Sequence, residues 1–537
     1  MVEKEMHLTL VDGLIIALST IMIYEIRCSP QLNDIQPYIM VEPFLITYCL
    51  FRILFSLSYK WTTYLLVIFL SSICARELFL GFSQLLQNLG TVKAQEVCVG
   101  SFSNSGPFGC FLAMCSSLFM VVYIRESNRY LKLIMILLIL FSSILMLCTL
   151  SRTAVASFLI SMSALALKSD RIRLLLKKYW ACIVMTFVLI GAGGYLIKKP
   201  SADGRLLIAR VCLRMIKENS LTGVGLGHFE GAYGDAQSRF FSEYLNGSEN
   251  VLNINRIPDN LRMVADCPSY AFNEYLHIGV ECGLIAMILL IGLMLLSIII
   301  SYRSDNYWCY PLITFSICSC FSYPFEIKIL LLFAIVSLSS IGIKQKKKGY
   351  NICFFSFMIA VLGIIGYSRK EEFDKVDSTN CLVSYDRLFK NRERKYFIPN
   401  GYGKNGLYSK MSLFYSGLTL SRNGIYAKSD SVLNLGQQMS SDPMFWNVMG
   451  NNSLAQGLYR EAEERYIHAF YMVPNRLYPL YLLAKLYYSE GDRDSFLKMA
   501  DIIESFHSKV ESVNTERLRS EIRDLRAEKL DFIQYDR

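Results

Sequence analysis

The sequence predicts an all-α membrane protein: a polytopic helix bundle of about eleven spans, one large external loop and a C-terminal tail of short helices. Hydrophobic residues make up 53% of the 537 positions, and apolar runs of transmembrane length recur through the first two thirds of the chain. Lys/Arg-rich segments separate some of these runs. Beyond residue 368, apolar residues take the spacing of short amphipathic helices.

Eleven apolar runs have the length needed to cross the hydrocarbon core, roughly 17 to 25 residues. The first run is followed by further spans and lacks a small-residue cleavage site, so we expect a span there and not a removable signal peptide. Together the runs define a membrane domain over residues 1–368. They lie at 8–26, 38–58, 61–80, 106–124, 128–149, 152–168, 179–197, 278–301, 307–323, 325–343 and 350–368.

The basic loops predict the orientation. The densest Lys/Arg clusters are "KSDRIRLLLKK" (168–178) and "KQKKK" (344–348), and "YIRESNRYLK" (123–132) is weaker. With eleven spans all three fall on one side, which the positive-inside rule makes cytoplasmic. The N-terminus is then cytoplasmic, and the loop 198–277 and the tail 369–537 are external, in the periplasm of a cell with two membranes.

Composition also limits the cofactors and partners. The net charge of +10 follows largely from the cytoplasmic loops, and no basic patch interleaved with aromatics indicates a nucleic-acid partner. Most of the sixteen cysteines lie in apolar runs, where they act as small hydrophobic side chains. The external ones, Cys98, Cys267 and Cys381, have an irregular spacing without a disulfide or metal pattern. We therefore expect no metal and no other cofactor.

The tail, residues 369–537, contains a tetratricopeptide-like pattern. In "MFWNVMGNNSLAQGLYREAEERYIHAFYMVPN" (444–475), Trp446, Gly450, Ala462 and Pro474 have the spacing of that repeat. One repeat cannot bury its own apolar face, so neighbours are expected, and residues 477–506 and 407–443 resemble degenerate copies. Such a tail serves either as a docking surface for a protein partner or as a stabilising cap on the membrane domain.

The external loop opens with a predicted basic helix that Ser201 or Asp203 caps and that runs to about Lys217. Arg210, Arg214 and Lys217 share one face of it, whereas Leu207, Val211 and Met215 share another. An arginine fork suits a phosphate or diphosphate of a lipid head group. An interfacial helix that snorkels its cations into ordinary membrane lipids explains the same spacing. "GVGLGHF" (223–229) predicts a tight turn in which His228 is structural.

Further charged groups lie at the predicted outer boundary of the membrane. Arg152 is at the junction of the fifth and sixth spans, either as an anchor for an anion or as a cation snorkelling at a helix end. In a helix that begins near Ala271, Glu274, His277 and Glu281 share one face. A histidine between two carboxylates is suited to proton transfer, and Glu274 is suited to accept a proton from a hydroxyl. Complementing the helix dipole is the alternative task for these carboxylates.

The stretch "ADCPSYAFNEYLHIGVECGLIAMIL" (265–289) resembles the signature of the O-antigen ligase and polymerase superfamily, at Asn273, Tyr275, Leu276, Glu281 and Gly283. "GSFSNSGPFGCFLA" (100–113), "LSRTAVASF" (150–158) and "GRLLIARVCLRMIKENSLTGVGLGHF" (204–229) resemble further segments of the family, so the resemblance covers about residues 100 to 300. The order of these segments, the late external loop and the tetratricopeptide tail also resemble the family.

The resemblance implies a GT-C-like, inverting, metal-independent glycosyltransferase of the bacterial inner membrane. Its donor would be a glycan on undecaprenyl diphosphate, and its acceptor a hydroxyl of lipid A core, of a protein or of a growing glycan. Arg205 and Arg152 match the arginines that hold the diphosphate, and Arg210, Arg214, Asn273 and Glu281 are further candidates for substrate binding. Many members have a histidine where this chain has Phe272, so His277, Glu274 or no strong base at all takes its place.

Two rival classes predict other patterns. A flippase of lipid-linked glycans predicts repeated membrane topology and charges deep within spans, whereas the polar groups here cluster at the predicted outer boundary. A scaffold whose only activity is the repeat tail leaves Arg152, Arg205 and Glu274 unexplained. Ligase and polymerase share one architecture, and the tail slightly favours a protein as acceptor or helper.

Overall fold

The computed structural model describes residues 9–28, 36–88, 98–170, 178, 199–245, 256–342, 348–368 and 410–535. All regular secondary structure in these ranges is helical, as the sequence predicts. The contacts divide the chain into two compact units. In described residues, the bundle unit comprises 9–28, 36–170 with its gap, 178 and 271–368 with its gap; the loop–tail unit comprises 199–270 with its gap and 410–535.

We number the described helices in chain order. They are α1 Leu10–Cys28, α2 Gln36–Leu57, α3 Tyr59–Gln87, α4 Ser105–Arg125, α5 Arg129–Cys148, α6 Arg152–Ala166, α7 Lys199–Glu218, α8 Phe229–Ser242, α9 Asp259–Arg262, α10 Glu274–Arg303, α11 Cys309–Phe321, α12 Lys328–Ser339, α13 Lys348–Ser368, α14 Lys410–Arg422, α15 Tyr426–Gln437, α16 Met444–Ala455, α17 Tyr459–Met472, α18 Tyr478–Glu490, α19 Arg493–Ser505 and α20 Val513–Tyr535. Short 3-10 turns follow α8 at Glu243–Leu245 and α11 at Pro324–Glu326.

Four helices of the described ranges, α3, α4, α5 and α10, are long and apolar enough to cross a membrane. Shorter apolar helical segments lie within α1, α6, α11, α12 and α13. The predicted run at 179–197 lies outside the described residues, and every other predicted run falls on a helix. The prediction of a membrane helix bundle is therefore confirmed, while the count of about eleven spans stays a prediction.

Helix α4 lies at the centre of the bundle unit. It packs against α3, α5, α6, α11 and α12, and nearly all of its side chains are buried. A helix that is apolar all round is one that neighbours cover on every side. Gly109 lets α6 approach it, since a Cβ there would lie 2.8 Å from the Cβ of Ser151, the residue before α6. This close contact fixes the end of α6 that carries Arg152.

A buried ion pair joins three helices at one end of the bundle unit. Arg52 of α2 donates from Nε to Oδ1 of Asp12 at 2.9 Å and from Nη2 to Oδ2 at 2.6 Å. Its Nη1 also donates to the carbonyls of Ser339 and Ile341 at the end of α12, at 3.1 and 2.5 Å. Tyr48 donates to Asp12 as well. The pair is thus fully hydrogen-bonded, as a buried pair must be.

The same end of the bundle unit holds a second set of polar contacts. Tyr59 donates to Asn306, whose amide donates to the hydroxyl and carbonyl of Ser340. Lys168 and Arg125 both pair with Asp305, at 2.5 and 3.4 Å. Chain segments from five different helix ends therefore meet here, and the segment 98–104 lies at the other end of α4.

Glu77 and Gln84 of α3 hold the segment that leads into α4. Glu77 accepts from the backbone and the hydroxyl of Ser101 at 2.8 and 2.7 Å. Gln84 accepts from the N–H of Gly100 at 2.8 Å, and Gly100 has a φ of +60°. A side chain at that position would collide with the Glu77 carboxylate, which explains the glycine that opens "GSFSNSGPFGCFLA". Buried Glu77 is thus a structural acceptor.

The loop–tail unit contains helical hairpins. Helix α14 packs on α15, α16 on α17 and α18 on α19, while α20 covers α18 and α19. Small residues permit the close packing: Gly436 faces the ring of Phe445, and Gly450 faces that of Tyr466. The second helix of the predicted repeat ends at Met472, just before Pro474. The assignment of these hairpins to tetratricopeptide repeats stays a prediction.

Candidate functional site

The start of α10 is fixed by two residues. Asn273 caps the helix, because its side-chain oxygen accepts from the N–H of Leu276 at 3.0 Å. Phe272 has a φ of +52°, a left-handed conformation that is unusual for an aromatic residue. The helix therefore begins at Glu274. The sequence analysis placed its start near Ala271, three residues too early. The cap gives Asn273 a structural task, and its contact with substrate stays a prediction.

The structure brings the three predicted acid–base residues of α10 together. Glu274, His277 and Glu281 are all buried, with 4%, 8% and 4% of their surfaces exposed. His277 Nε2 lies 3.3 Å from Glu281 Oε1, and its Nδ1 accepts from the N–H of Ala271 at 3.4 Å. The bond to Ala271 requires a lone pair on Nδ1, so the proton of the neutral ring lies on Nε2 and points to Glu281.

Glu274 contacts the connection between α11 and α12. Its Oε1 accepts from the N–H of Phe325 at 2.7 Å, and the rings of Phe272 and Tyr323 stack edge to face at 5.6 Å. The connection is the 3-10 turn Pro324–Glu326. This hydrogen bond ties the turn to the start of α10.

Helix α10 is broken at Gly283, which has φ 82° and ψ 175°. This combination is essentially restricted to glycine. The residues Glu274–Cys282 thus form a separate two-turn segment before the longer apolar part of the helix. Non-helical backbone at membrane depth is tolerated where protein or a cavity surrounds it, and Gly283 is buried. The family resemblance at Gly283 therefore has a conformational cause.

Glu326 is a site residue that the sequence analysis missed. It ends the turn that Glu274 holds, and it interacts electrostatically with both His277 and Glu281. It is partly exposed, unlike the two carboxylates of α10. Its signal in the sequence was a carboxylate two residues after Pro324, at the start of the apolar run 325–343.

Arg152 is the first residue of α6 and lies at the same end of α11 as this cluster. One turn into α6, the hydroxyl of Ser157 contacts the Cys318 sulfur at 3.4 Å, in the last turn of α11. Glu274 contacts Phe325, four residues beyond the end of α11. The structure thus brings Arg152, Glu274, His277 and Glu281 to one end of the bundle unit.

The other predicted arginines lie on α7, in the loop–tail unit. The predicted apolar face is confirmed, because Leu207, Val211 and Met215 are buried. The helix begins at Lys199, so Ser201 and Asp203 lie within it and do not cap its start. The expected caps are therefore wrong, because the helix already includes the two residues before Ser201.

The arginines of α7 differ in their surroundings. Arg214 pairs with Glu243 and, at 3.5 Å, with Glu218. The hydrogen bond with Glu243 raises the pKa of Arg214 above its usual value. Arg210 is exposed and Arg205 is half-buried. The charge of Arg214 is therefore already compensated by carboxylates, which weakens it as a phosphate ligand.

The predicted turn after α7 is confirmed. Gly223, Gly225 and Gly227 have φ values of 72°, 103° and 81°. His228 directly precedes α8, and its side chain makes no capping hydrogen bond to that helix. Among the described residues, no group of three or more His, Cys, Asp or Glu side chains is arranged to hold a metal ion.

In the comparison with protein families, the family model described as O-Antigen ligase matches residues 97–291. This confirms the resemblance to the superfamily, and the matched region includes Arg152, α7 and the first segment of α10. It ends before Glu326. No curated protein matches the chain.

Proposed function

Starting from the O-antigen ligase family match over residues 97–291, we propose that this membrane protein is a glycosyltransferase that transfers a glycan from undecaprenyl diphosphate to an acceptor hydroxyl. The observation that carries the proposal is the cluster of Glu274, His277 and Glu281, which lies buried in the matched region at the start of a membrane helix. Burying such charges is costly and marks a functional site by default.

The proposed reaction is a single displacement. The acceptor oxygen attacks the anomeric carbon of the first sugar, and the bond from that carbon to the diphosphate oxygen breaks. The lipid diphosphate leaves with the electron pair, and the hydroxyl proton passes to a base, so the anomeric configuration is inverted. Fixed positive charge at the leaving group stabilises this transition state. We assign that task to Arg152 and Arg205, as the family resemblance implies.

The contacts rank three candidates for the base. Both ring nitrogens of His277 are engaged, with Ala271 and Glu281. One oxygen of Glu274 already accepts from Phe325. The side chain of Glu326 makes no hydrogen bond to the described residues and is partly exposed. We therefore propose Glu326 as the base.

A transfer assay with purified protein and a lipid-linked glycan tests the proposal. General base catalysis contributes about 10²- to 10⁴-fold, so Glu326→Gln should lose that factor while Glu326→Asp retains part of it. The matched control is Glu126→Gln. Glu126 is a partly exposed carboxylate that directly follows the C-terminal end of α4. Full activity of Glu326→Gln would return the assignment to Glu274 or His277. Full activity of Arg152→Ala and Arg205→Ala would remove the diphosphate-binding part of the proposal.

A ligase and a polymerase differ in the acceptor that receives the glycan. Deletion of the gene, followed by analysis of lipopolysaccharide and glycoproteins, should leave one acceptor unmodified: lipid A core or protein for a ligase, or chains of a single repeat unit for a polymerase. An accumulation of the donor on the cytoplasmic side alone would instead favour a flippase.

We also propose the eleven-span topology, with a cytoplasmic N-terminus and an external tail of tetratricopeptide-like repeats. Its support is that Asp12, Tyr59, Lys168, Asp305 and Ser340, which this topology places on one side, meet at one end of the bundle unit. Labelling of single cysteines from each side tests it. Label reaching residues 199–270 only from the cytoplasm would overturn the topology.

A further inference from the structure

The tail and the preceding loop share buried hydrogen bonds. Gln237 of α8 is 1% exposed, and its amide donates to the carbonyl of Asp266 at 3.0 Å and to that of Met472 at the end of α17. Its oxygen accepts from Tyr233 at 2.8 Å. The side chain of Gln237 is therefore satisfied by partners from both the loop and the tail.

Asn475 makes the reciprocal contact from the tail. It is buried, and its amide donates to the carbonyls of Arg262 and Ala265 at 3.0 and 2.8 Å. Arg262 in turn donates to the carbonyl of His507 at 3.2 Å, and Lys509 pairs with Asp266 at 2.7 Å. Segments 259–268 and 472–509 thus satisfy each other's buried polar groups.

Two glycines bring α8 against the tail backbone. A Cβ on Gly231 would lie 2.9 Å from the Cα of Gln438 and closer still to its carbonyl. A Cβ on Gly234 would lie 3.0 Å from the Cα of Ser441 and 2.6 Å from Met472. Helix α8 therefore covers the tail edge, which we define as residues 438–441 and 468–475.

We propose that the tail is an internal scaffold for residues 199–245 and 256–270, and that α8 of this chain, not a separate protein, is the partner of the tail edge. A competing protein would have to displace α8 and break the buried hydrogen bond from Gln237 to the carbonyl of Met472, which is unfavourable. Because α8 also packs on α7, the scaffold supports the helix that carries Arg205. The effect on glycan transfer rests on the proposed function; the scaffold itself does not.

The test uses the full chain with a protease site inserted between residues 368 and 410. After cleavage in native membranes, we measure how fast the fragment that contains α14–α20 is released during high-salt washing. The test variant is Gly231→Ala combined with Gly234→Ala. The control is Gly292→Ala, a glycine of α10 with nothing within 4 Å of its Cβ position.

In open helix positions Gly→Ala favours the helix by up to about 1 kcal/mol. Weaker binding of the tail fragment in the double variant would therefore come from the packing of α8 on the tail edge. We expect the wild-type and control fragments to stay bound, and the double variant to release its fragment about tenfold faster or more, as a loss of 1.4 kcal/mol would give. Equal release from wild type and double variant would overturn the proposal, as would full release from wild type. Release needs no transfer activity, so a failed transfer proposal would leave this result unchanged.

Discussion

The buried pair of Asp12 and Arg52 makes a quantitative prediction. Their side chains are 1% and 2% exposed, so neither charge is solvated by water when its partner is removed. Breaking a buried pair by removing one partner costs about 3–5 kcal/mol. We expect Asp12→Ala to lower the free energy of unfolding by about that amount. Arg52→Ala should cost at least as much, because it also leaves the carbonyls of Ser339 and Ile341 without their donor.

The double variant separates charge from packing. With both charges gone, the remaining cost is the cavity and the two unpaired carbonyls, each about 1–3 kcal/mol. The double variant Asp12→Ala with Arg52→Ala should therefore lose about 3 kcal/mol less unfolding free energy than the sum of the losses in the two single variants. The pair contacts α1, α2 and α12 at once, so this coupling reports on the assembly of the bundle unit.

The assay is equilibrium unfolding of the purified protein in detergent micelles, with helix content followed by circular dichroism. Arg129→Ala, at an exposed position that begins α5, is the control and should change the unfolding free energy little. If the two single effects add up in the double variant, the ionic coupling that we derive from the buried geometry does not exist.

Three further predictions follow from single residues. Gly283→Ala forces a non-glycine residue into φ 82° and ψ 175°, which costs about 1–3 kcal/mol; transfer should fall although the protein still inserts in the membrane, and unchanged kcat would contradict this. Arg214→Ala should lower transfer much less than Arg205→Ala, because two glutamates already compensate Arg214; equal losses in the transfer assay would argue for a shared role. The hydrogen bond with Arg519 lowers the pKa of Glu511 to about 2 from 4.5, so its stabilisation is present above pH 4.5 and is lost as the pH falls towards 2; hydrogen exchange of α20 should accelerate over that range, and Arg519→Gln should abolish the change.

Local periodicity predicted the helices well, because it depends on residues three or four positions apart. The apolar face of α7 and the shared face of Glu274, His277 and Glu281 both follow from such spacing. The exact start of α10 and its break at Gly283 do not follow from spacing. Both the left-handed Phe272 and the backbone of Gly283 depend on the packing around them. A sequence marks Gly283 only as a glycine within an apolar run, which is also compatible with a continuous helix.

Contacts between distant segments were beyond the reach of the sequence. Glu326 lies 52 positions after Glu274, and only the fold of α11 and α12 brings its turn to α10. The partition of the chain was likewise unforeseen: residues 199–270 were expected as a loop of the membrane domain, whereas their contacts group them with the tail. The hydrogen bonds of Gln237 and Asn475 explain that grouping, and neither amide has a distinctive sequence pattern.

The hydrogen bonds that Gln237 and Asn475 make between the loop and the tail have a consequence for biosynthesis. More than two hundred residues separate these two positions, and synthesis at 5–20 residues per second takes about 10 to 50 s to cover them. During this interval the amide of Gln237 lacks its partner in the tail, so a chaperone that shields the nascent segment must act until Met472 has been synthesised. Exchange of tails between homologous chains should accordingly succeed only when the segment 229–268 is exchanged with them.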